Sequence, residues 1–203
     1  EAGIGLWGGI LGGWIGATAY AYITKAPIGA LMDLSAPALL IAQTIGRVGD
    51  IINGEHWSKA TELPWGWVFT NTSSPGFRGP PASTGVAWDP AQATHPTIVY
   101  EMMTNTLIFF VIWRLQGRFR PAGALWMLYI SLYSTARFGL QFFRLDDVKF
   151  WEMQEAHIIA VLVLLFTVPW MIKYMRWGQN EEKPPPTAPT AGRSGRRRRR
   201  ANA

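Results

Sequence analysis

The sequence has no cysteine. That excludes disulfides, thiolate metal sites and a cysteine nucleophile within these residues. It has three histidines, His56, His95 and His157, far apart and without the His-x-x-x-His spacing of a helical metal site. A zinc centre is not expected, and no cofactor is called for. The first residue is Glu1 rather than Met, and no signal peptide or cytoplasmic leader precedes the first apolar run. We read this as a truncated or processed start, with one or more helices expected ahead of it.

What the chain does have is bunched apolar sequence. Five stretches, about 4–23, 34–52, 97–113, 122–140 and 156–175, approach the ~20 residues that cross a ~30 Å hydrocarbon core. The first and last carry no acid or base in their interiors. The 11 Trp and 10 Phe include aromatics at the ends of these runs. A soluble all-α core would be the alternative reading, but five such runs in one short chain favour a polytopic membrane protein. Loop charge supplies a second signal. Lys25, then Arg114, Arg118 and Arg120, then Lys173, Arg176 and the terminal arginines follow the first, third and fifth segments. The connections 53–96 and 141–155 are mixed or acidic. The positive-inside rule therefore puts residue 1 outside and the C-terminus in the cytoplasm.

Between these spans, 53–96 is rich in Pro, Gly, Ser, Thr and Trp and is expected to form a small extracytoplasmic cap. "LPWGWVF" reads as a short apolar strand and the following "TNTSSPGFRGPPASTG" as turns. Asn71–Thr72–Ser73 matches a glycosylation sequon, too common a pattern to interpret. In the first span, Gly5–Gly9–Gly13 and Gly8–Gly12–Gly16 place small residues four apart. A dinucleotide-binding loop would need a preceding strand, so close helix packing is the preferred meaning. Residues 177–203, Pro-rich and ending in an arginine run, form a tail expected to be disordered. A topology anchor is preferred for that run, ahead of contact with anionic lipid and of nucleic-acid binding.

Charges inside spans are costly unless partnered, which makes them candidates for function. Arg47 and Asp50 lie three residues apart and share a helix face. Asn53 and Glu55 follow near the outer surface. A salt bridge tying the helix end is the plainer alternative. In the fourth span Tyr133, Arg137, Gln141 and Arg144 fall within about 40° of one line, a polar stripe along the helix. Both clusters sit at the outer ends of their helices, so Arg47 and Arg137 are expected to converge on an anion, with a lipid phosphate the natural one. Snorkelling of a long side chain to the interface explains Arg144 well and Arg47 poorly.

"GRVGDIINGEHW", "PWGWVF", "HPTIVYE" and "YSTARFGLQFFR", in that order, resemble the bacterial prolipoprotein diacylglyceryl transferases. "GLWGGILGG" and the Asp33, Ala36, Pro37 pattern fit as well, so the likeness spans about residues 3–176. The resemblance implies an all-α polytopic membrane protein of the bacterial inner membrane, with about five transmembrane helices in this chain, seven in the full-length protein, and two ahead of Glu1. It implies transfer of the diacylglyceryl group of phosphatidylglycerol to the lipobox cysteine of a prelipoprotein signal peptide, forming a thioether and releasing glycerol-1-phosphate. Membrane lipids are the other expected partners; no nucleic acid is. Arg47 matches the phosphatidylglycerol-binding arginine and Arg137 the second essential one. Asn53, Glu55 and Tyr133 match polar members of the same cavity. The nucleophile belongs to the substrate, so a cysteine-free chain poses no difficulty.

The chain departs from the family's usual residues in several places. Trp7 stands where many members carry a histidine offered as the thiol's base. Asp50 replaces an asparagine, Gln141 a glutamate, Ile98 a glutamine and Ser58 a glycine. The base is then expected to be Glu55, or the arginine field lowers the thiol pKa without one. Two other classes stay open. One is a degenerate paralogue that binds anionic lipid or signal peptides; the other is a small-solute transporter, although no inverted repeat relates the spans.

Overall fold

The computed structural model describes residues 3–146, 148–150 and 153–178. Five long helices run back and forth: α1 (Gly3–Ile23), α2 (Ile28–Asn53), α4 (Thr97–Leu115), α5 (Ala124–Gln141) and α6 (Glu155–Tyr174). A short helix α3 (Pro75–Arg78) sits in the connection between α2 and α4. By length and composition, α2, α4 and α6 are apolar enough to cross a membrane. Helix α2 starts six residues before the expected run, because Asp33 interrupts the apolar pattern without interrupting the helix.

The core lies where α2, α4 and α5 meet. Ala36 and Leu40 of α2, Ile108 and Ile112 of α4, and Leu125 and Tyr129 of α5 form one buried cluster. Helix α6 packs along α5, where Ser131 Oγ donates to Thr167 Oγ1 at 2.8 Å. Outside this cluster large apolar side chains face outward, among them Leu107 and Phe110 on α4 and Leu165, Phe166 and Ile172 on α6. Such a continuous apolar exterior suits lipid rather than water. The glycines of α1 behave differently from expectation. A Cβ on Gly12, Gly13 or Gly16 would meet nothing within 4 Å, so these three do not pack against another helix among the described residues. The side chains around Gly5, Gly8 and Gly9, and that of Trp7, lie outside the described set.

The loops sort to two ends. At one, β1 (Phe119–Arg120) pairs antiparallel with β4 (Arg176–Trp177), and Gly178 N–H donates to Arg118 O at 2.9 Å. The basic connections are therefore neighbours. Here too the starts of α2 and α5 touch. Gly29 lies so close to Ala122 that an added Cβ would stand 2.5 Å from its carbonyl oxygen. Asp33 accepts from Gly123 N–H at 2.8 Å and from Trp126 N–H at 2.9 Å. It thus caps α5 from another helix, supplying acceptors for donors that no intrahelical carbonyl can reach.

At the other end the long connection folds back over α2. "LPWGWVF" is not a strand: Leu63 O accepts from Gly66 N–H in a turn, and Trp67 makes one isolated bridge with Thr94. A second isolated bridge joins Ser58 to Arg144, flanked by Lys59 N–H to Phe143 O at 2.9 Å and Leu145 N–H to Trp57 O at 3.0 Å. Short pairings suffice here because Pro and Gly interrupt every longer run. Beyond α5, β2 (Val148–Phe150) pairs with β3 (Met153–Gln154) just before α6.

Candidate anion site at the ends of α2, α4 and α5

Helix α2 ends at Gly54, whose φ of 64° is left-handed. Glu55 N–H then bonds back to Asp50 O at 3.0 Å. Any side chain at Gly54 would also collide with Ser74, whose Cβ would lie 2.7 Å away. This tight exit turns the chain so that residues 56–59 run back along the end of α5. Arg47, on the last two turns of α2, is thereby brought opposite α4 and α5.

At the centre is Glu101 of α4, 4 % exposed. Its Oε2 accepts from Arg47 Nη2 at 2.5 Å, and its Oε1 from Arg137 Nη1. Arg144 Nη1 approaches the same Oε1 at 3.5 Å. Three guanidiniums, one from α2 and two from α5 and the turn after it, thus meet on one carboxylate. Two further acids flank them. Arg47 Nη1 donates to Asp50 Oδ2 at 2.6 Å, and Arg144 Nε donates to Asp146 Oδ2 at 3.0 Å. The charges balance pairwise, but the hydrogen bonds do not: three guanidiniums carry about fifteen N–H donors, and Arg137 has Glu101 as its acceptor among the described residues. The donors outnumber the acceptors that these three carboxylates offer.

Of the predicted residues, Arg47, Asp50 and Arg137 come together in this cluster. Asn53 and Glu55 stand at its rim, where Asn53 Nδ2 donates to Glu55 Oε1 at 3.1 Å. Tyr133, one turn before Arg137, packs its ring towards Tyr129 at 6.3 Å between centroids, on the margin of the hydrophobic core. Arg144 requires a correction. It does not snorkel; it is 4 % exposed, because the 57–59 and 143–145 pairing folds it inward and its ion partners lie inside.

Glu101, Arg144, His56 and Asp146 were not assigned to the site from sequence, although Glu101 ends the "HPTIVYE" motif. Arg144 Nη2 donates to His56 Nδ1 at 2.7 Å, and His56 Nε2 lies 3.2 Å from Asp50 Oδ2. Burial, and then the charge of Arg144, lower the His56 pKa to about 4, so the ring is neutral at ordinary pH. Burial alone would raise Asp146, but the charge and hydrogen bond of Arg144 outweigh it and hold the carboxyl below its usual range. Gln141 donates to Asp146 Oδ2 at 2.6 Å and also to Gln154. The neutral amide at 141 accordingly fits its neighbour, since a glutamate there would face Asp146 as a like charge.

Asp50, Glu55 and His56 bring one potential metal-ligand atom each within 4.8 Å of one another. Arg47 Nη1 already occupies Asp50 Oδ2 and lies 3.2 Å from His56 Nε2. A divalent ion there would have to displace a guanidinium, so the trio does not suit one. Beside Asp50 a cleft of about 200 Å³ opens between the end of α2 and the cap. Ile51, Ile52, Trp67, Val68 and Phe69 line it, with Ile98 of α4.

Fold and site together define a helical membrane protein with three arginines gathered on one buried carboxylate at one end of its bundle. A profile of the prolipoprotein diacylglyceryl transferases matches residues 1–173, and the chain belongs to that family. It is 32 % identical over 187 residues to a phosphatidylglycerol–prolipoprotein diacylglyceryl transferase of Corynebacterium efficiens, covering 91 % of this chain and 57 % of that protein. It is 36 % identical over 152 residues to the Rhodococcus jostii protein of the same name, covering 73 % and 42 %. The Thermosynechococcus vestitus protein of that name is 29 % identical over 166 residues, covering 81 % and 58 %. The chain spans about half the length of the curated relatives it matches. No solved structure matches it.

Proposed function

We propose that this chain carries the phosphate-binding half of a phosphatidylglycerol–prolipoprotein diacylglyceryl transferase. The observation that carries the reading is the meeting of Arg47, Arg137 and Arg144 on the buried carboxylate of Glu101. Glu101 holds the three guanidiniums together before any ligand arrives, and their remaining donors are available to a lipid phosphate. In the reaction the acceptor's sulfur forms a bond to the glyceryl carbon. The bond from that carbon to the phosphate oxygen breaks, and glycerol-1-phosphate leaves with the electron pair. Negative charge grows on the departing oxygen, so cations fixed in advance stabilise the transition state more than the ground state.

The thiol must also lose its proton. Both ring nitrogens of His56 are engaged, which leaves Glu55, at the rim and near Asp50, as the base, or the arginine field itself as the agent that favours the thiolate. The cleft beside Asp50 offers the acceptor peptide a way in. At about 200 Å³ it is smaller than the ~300–1,000 Å³ of pockets that hold whole ligands, and suits a side chain or two of an extended peptide. In this reading all five long helices span the bacterial inner membrane. Residues 1–176 form the embedded domain, 53–96 its extracytoplasmic cap and 177–203 a cytoplasmic tail. The residues beyond 178 lie outside the described structure.

Incubation with radiolabelled phosphatidylglycerol and a lipobox peptide tests the proposal. Label on the peptide cysteine is the expected result. Lipid binding without transfer would instead favour a degenerate binding protein.

A further inference from the structure

We propose that His56 is a positioning residue, a neutral wedge that fixes the spacing of Arg47 and Arg144 at the phosphate site; this rests on the transferase reading above. Four observations support it. The first is backbone geometry: His56 has a φ of 72°, a left-handed conformation that is uncommon for a residue with a Cβ and that turns its ring towards α5. The second is the pairing of Trp57 and Lys59 with residues 143 and 145, which carries the ring to the end of α5. The third is the bonding. Arginine can only donate, so Arg144 Nη2 at 2.7 Å makes His56 Nδ1 an acceptor. That assigns the proton to Nε2, where it is donated to Asp50 Oδ2 at 3.2 Å. The fourth is the charge around the ring. Arg47 and Asp50 face it from α2 and Arg144 from beyond α5, with Glu55 its neighbour in the chain. A cationic spacer between two guanidiniums would push them apart, whereas a neutral ring with one acceptor and one donor joins Asp50 to Arg144.

This role differs from that of a thiol base. A base needs a nitrogen lone pair free for the thiol proton, and the lone pair of His56 is already used by Arg144. Removing the ring leaves Arg144 with Glu101 and Asp146 on one side and a gap towards Arg47 on the other. The phosphate would then meet two forks at the wrong separation.

The test compares His56→Leu with His56→Asn, in nanodiscs, on phosphatidylglycerol binding and on transfer to a lipobox peptide. Asparagine tolerates positive φ and its amide oxygen can accept from Arg144; leucine does neither. We expect His56→Leu to raise both the Kd and the KM for phosphatidylglycerol about tenfold with kcat little changed, and His56→Asn to recover most of that loss. Three results would overturn the proposal: a lower Tm in both variants with unchanged KM, a large fall in kcat alone in both, or a wild-type protein that binds phosphatidylglycerol no better than a zwitterionic lipid. Should the wild type bind phosphatidylglycerol but transfer nothing, the transferase reading fails, while the binding comparison still decides the role of His56.

Discussion

Asp33 on α2 and Glu101 on α4 are both carboxylates on helices of the bundle, and their surroundings differ in kind. Asp33 receives two backbone N–H groups from the start of α5. Those donors are fixed, and the favourable dipole of a helix N-terminus adds to them. The arrangement ties two helices and has nothing left to offer a ligand. Glu101 instead gathers three guanidinium side chains, each with more donors than one carboxylate can accept. A charge within a span therefore does not by itself mark a site. What separates the two is the number of side-chain donors gathered around the carboxylate, which among the described residues is three guanidiniums at Glu101 and none at Asp33.

The largest effect should come from Glu101→Gln, which would leave three cations around a neutral amide. Breaking a buried ion pair typically costs about 3–5 kcal/mol, so we expect a large fall in Tm together with loss of transfer. A variant with wild-type stability would remove Glu101 from the centre of the site. Acid should come next. The His56 pKa is about 4 in the folded chain and 6.5 for the free side chain, so the unfolded state binds the proton first. Stability should be full above pH 6.5 and decline as pH falls towards 4, by about 3 kcal/mol at most. Thermal melts between pH 7 and pH 4 would show this, and melts of His56→Asn should lack that component.

Arg47→Lys should follow, costing about 2–3 kcal/mol in kcat/KM, because an ammonium cannot grip phosphate with two parallel bonds. Unchanged kinetics would count against its phosphate role. The smallest effect belongs to the opposite end. Asp33→Asn retains an acceptor but loses the charge on the start of α5, costing about 1 kcal/mol of stability. The KM for phosphatidylglycerol should not move. A change in KM there would mean that the two ends are coupled, and would break the contrast drawn between them.

The long helices were legible because each apolar run is long and uniform: 97–113 became Thr97–Leu115, and 156–175 became Glu155–Tyr174. Where a charge stood in a run the boundary slipped, as at Asp33, whose partners lie some 90 residues away. The convergence of Arg47 with Arg137 followed from sidedness and helix period. Their common partner did not, since Glu101 is 36 residues from Arg137 and 43 from Arg144. Arg144 was misjudged for a related reason. An arginine just past a helix end looks free to reach water, and only the fold-back of residues 57–59 buries it. The "LPWGWVF" stretch has strand-like composition, but no neighbouring segment is long enough to pair with it.

Sequence alone determined the membrane-helical class, the family and the presence of cationic residues at the ends of two helices, because hydropathy, local motifs and helix period are encoded over short distances. Tertiary structure decided which acid gathers those cations, which arginine is buried and which carboxylate merely ties two helices. Those outcomes depend on electrostatic pairing between segments that meet only after the chain has folded, where the gain from a distant partner outweighs the cost of removing each charge from water.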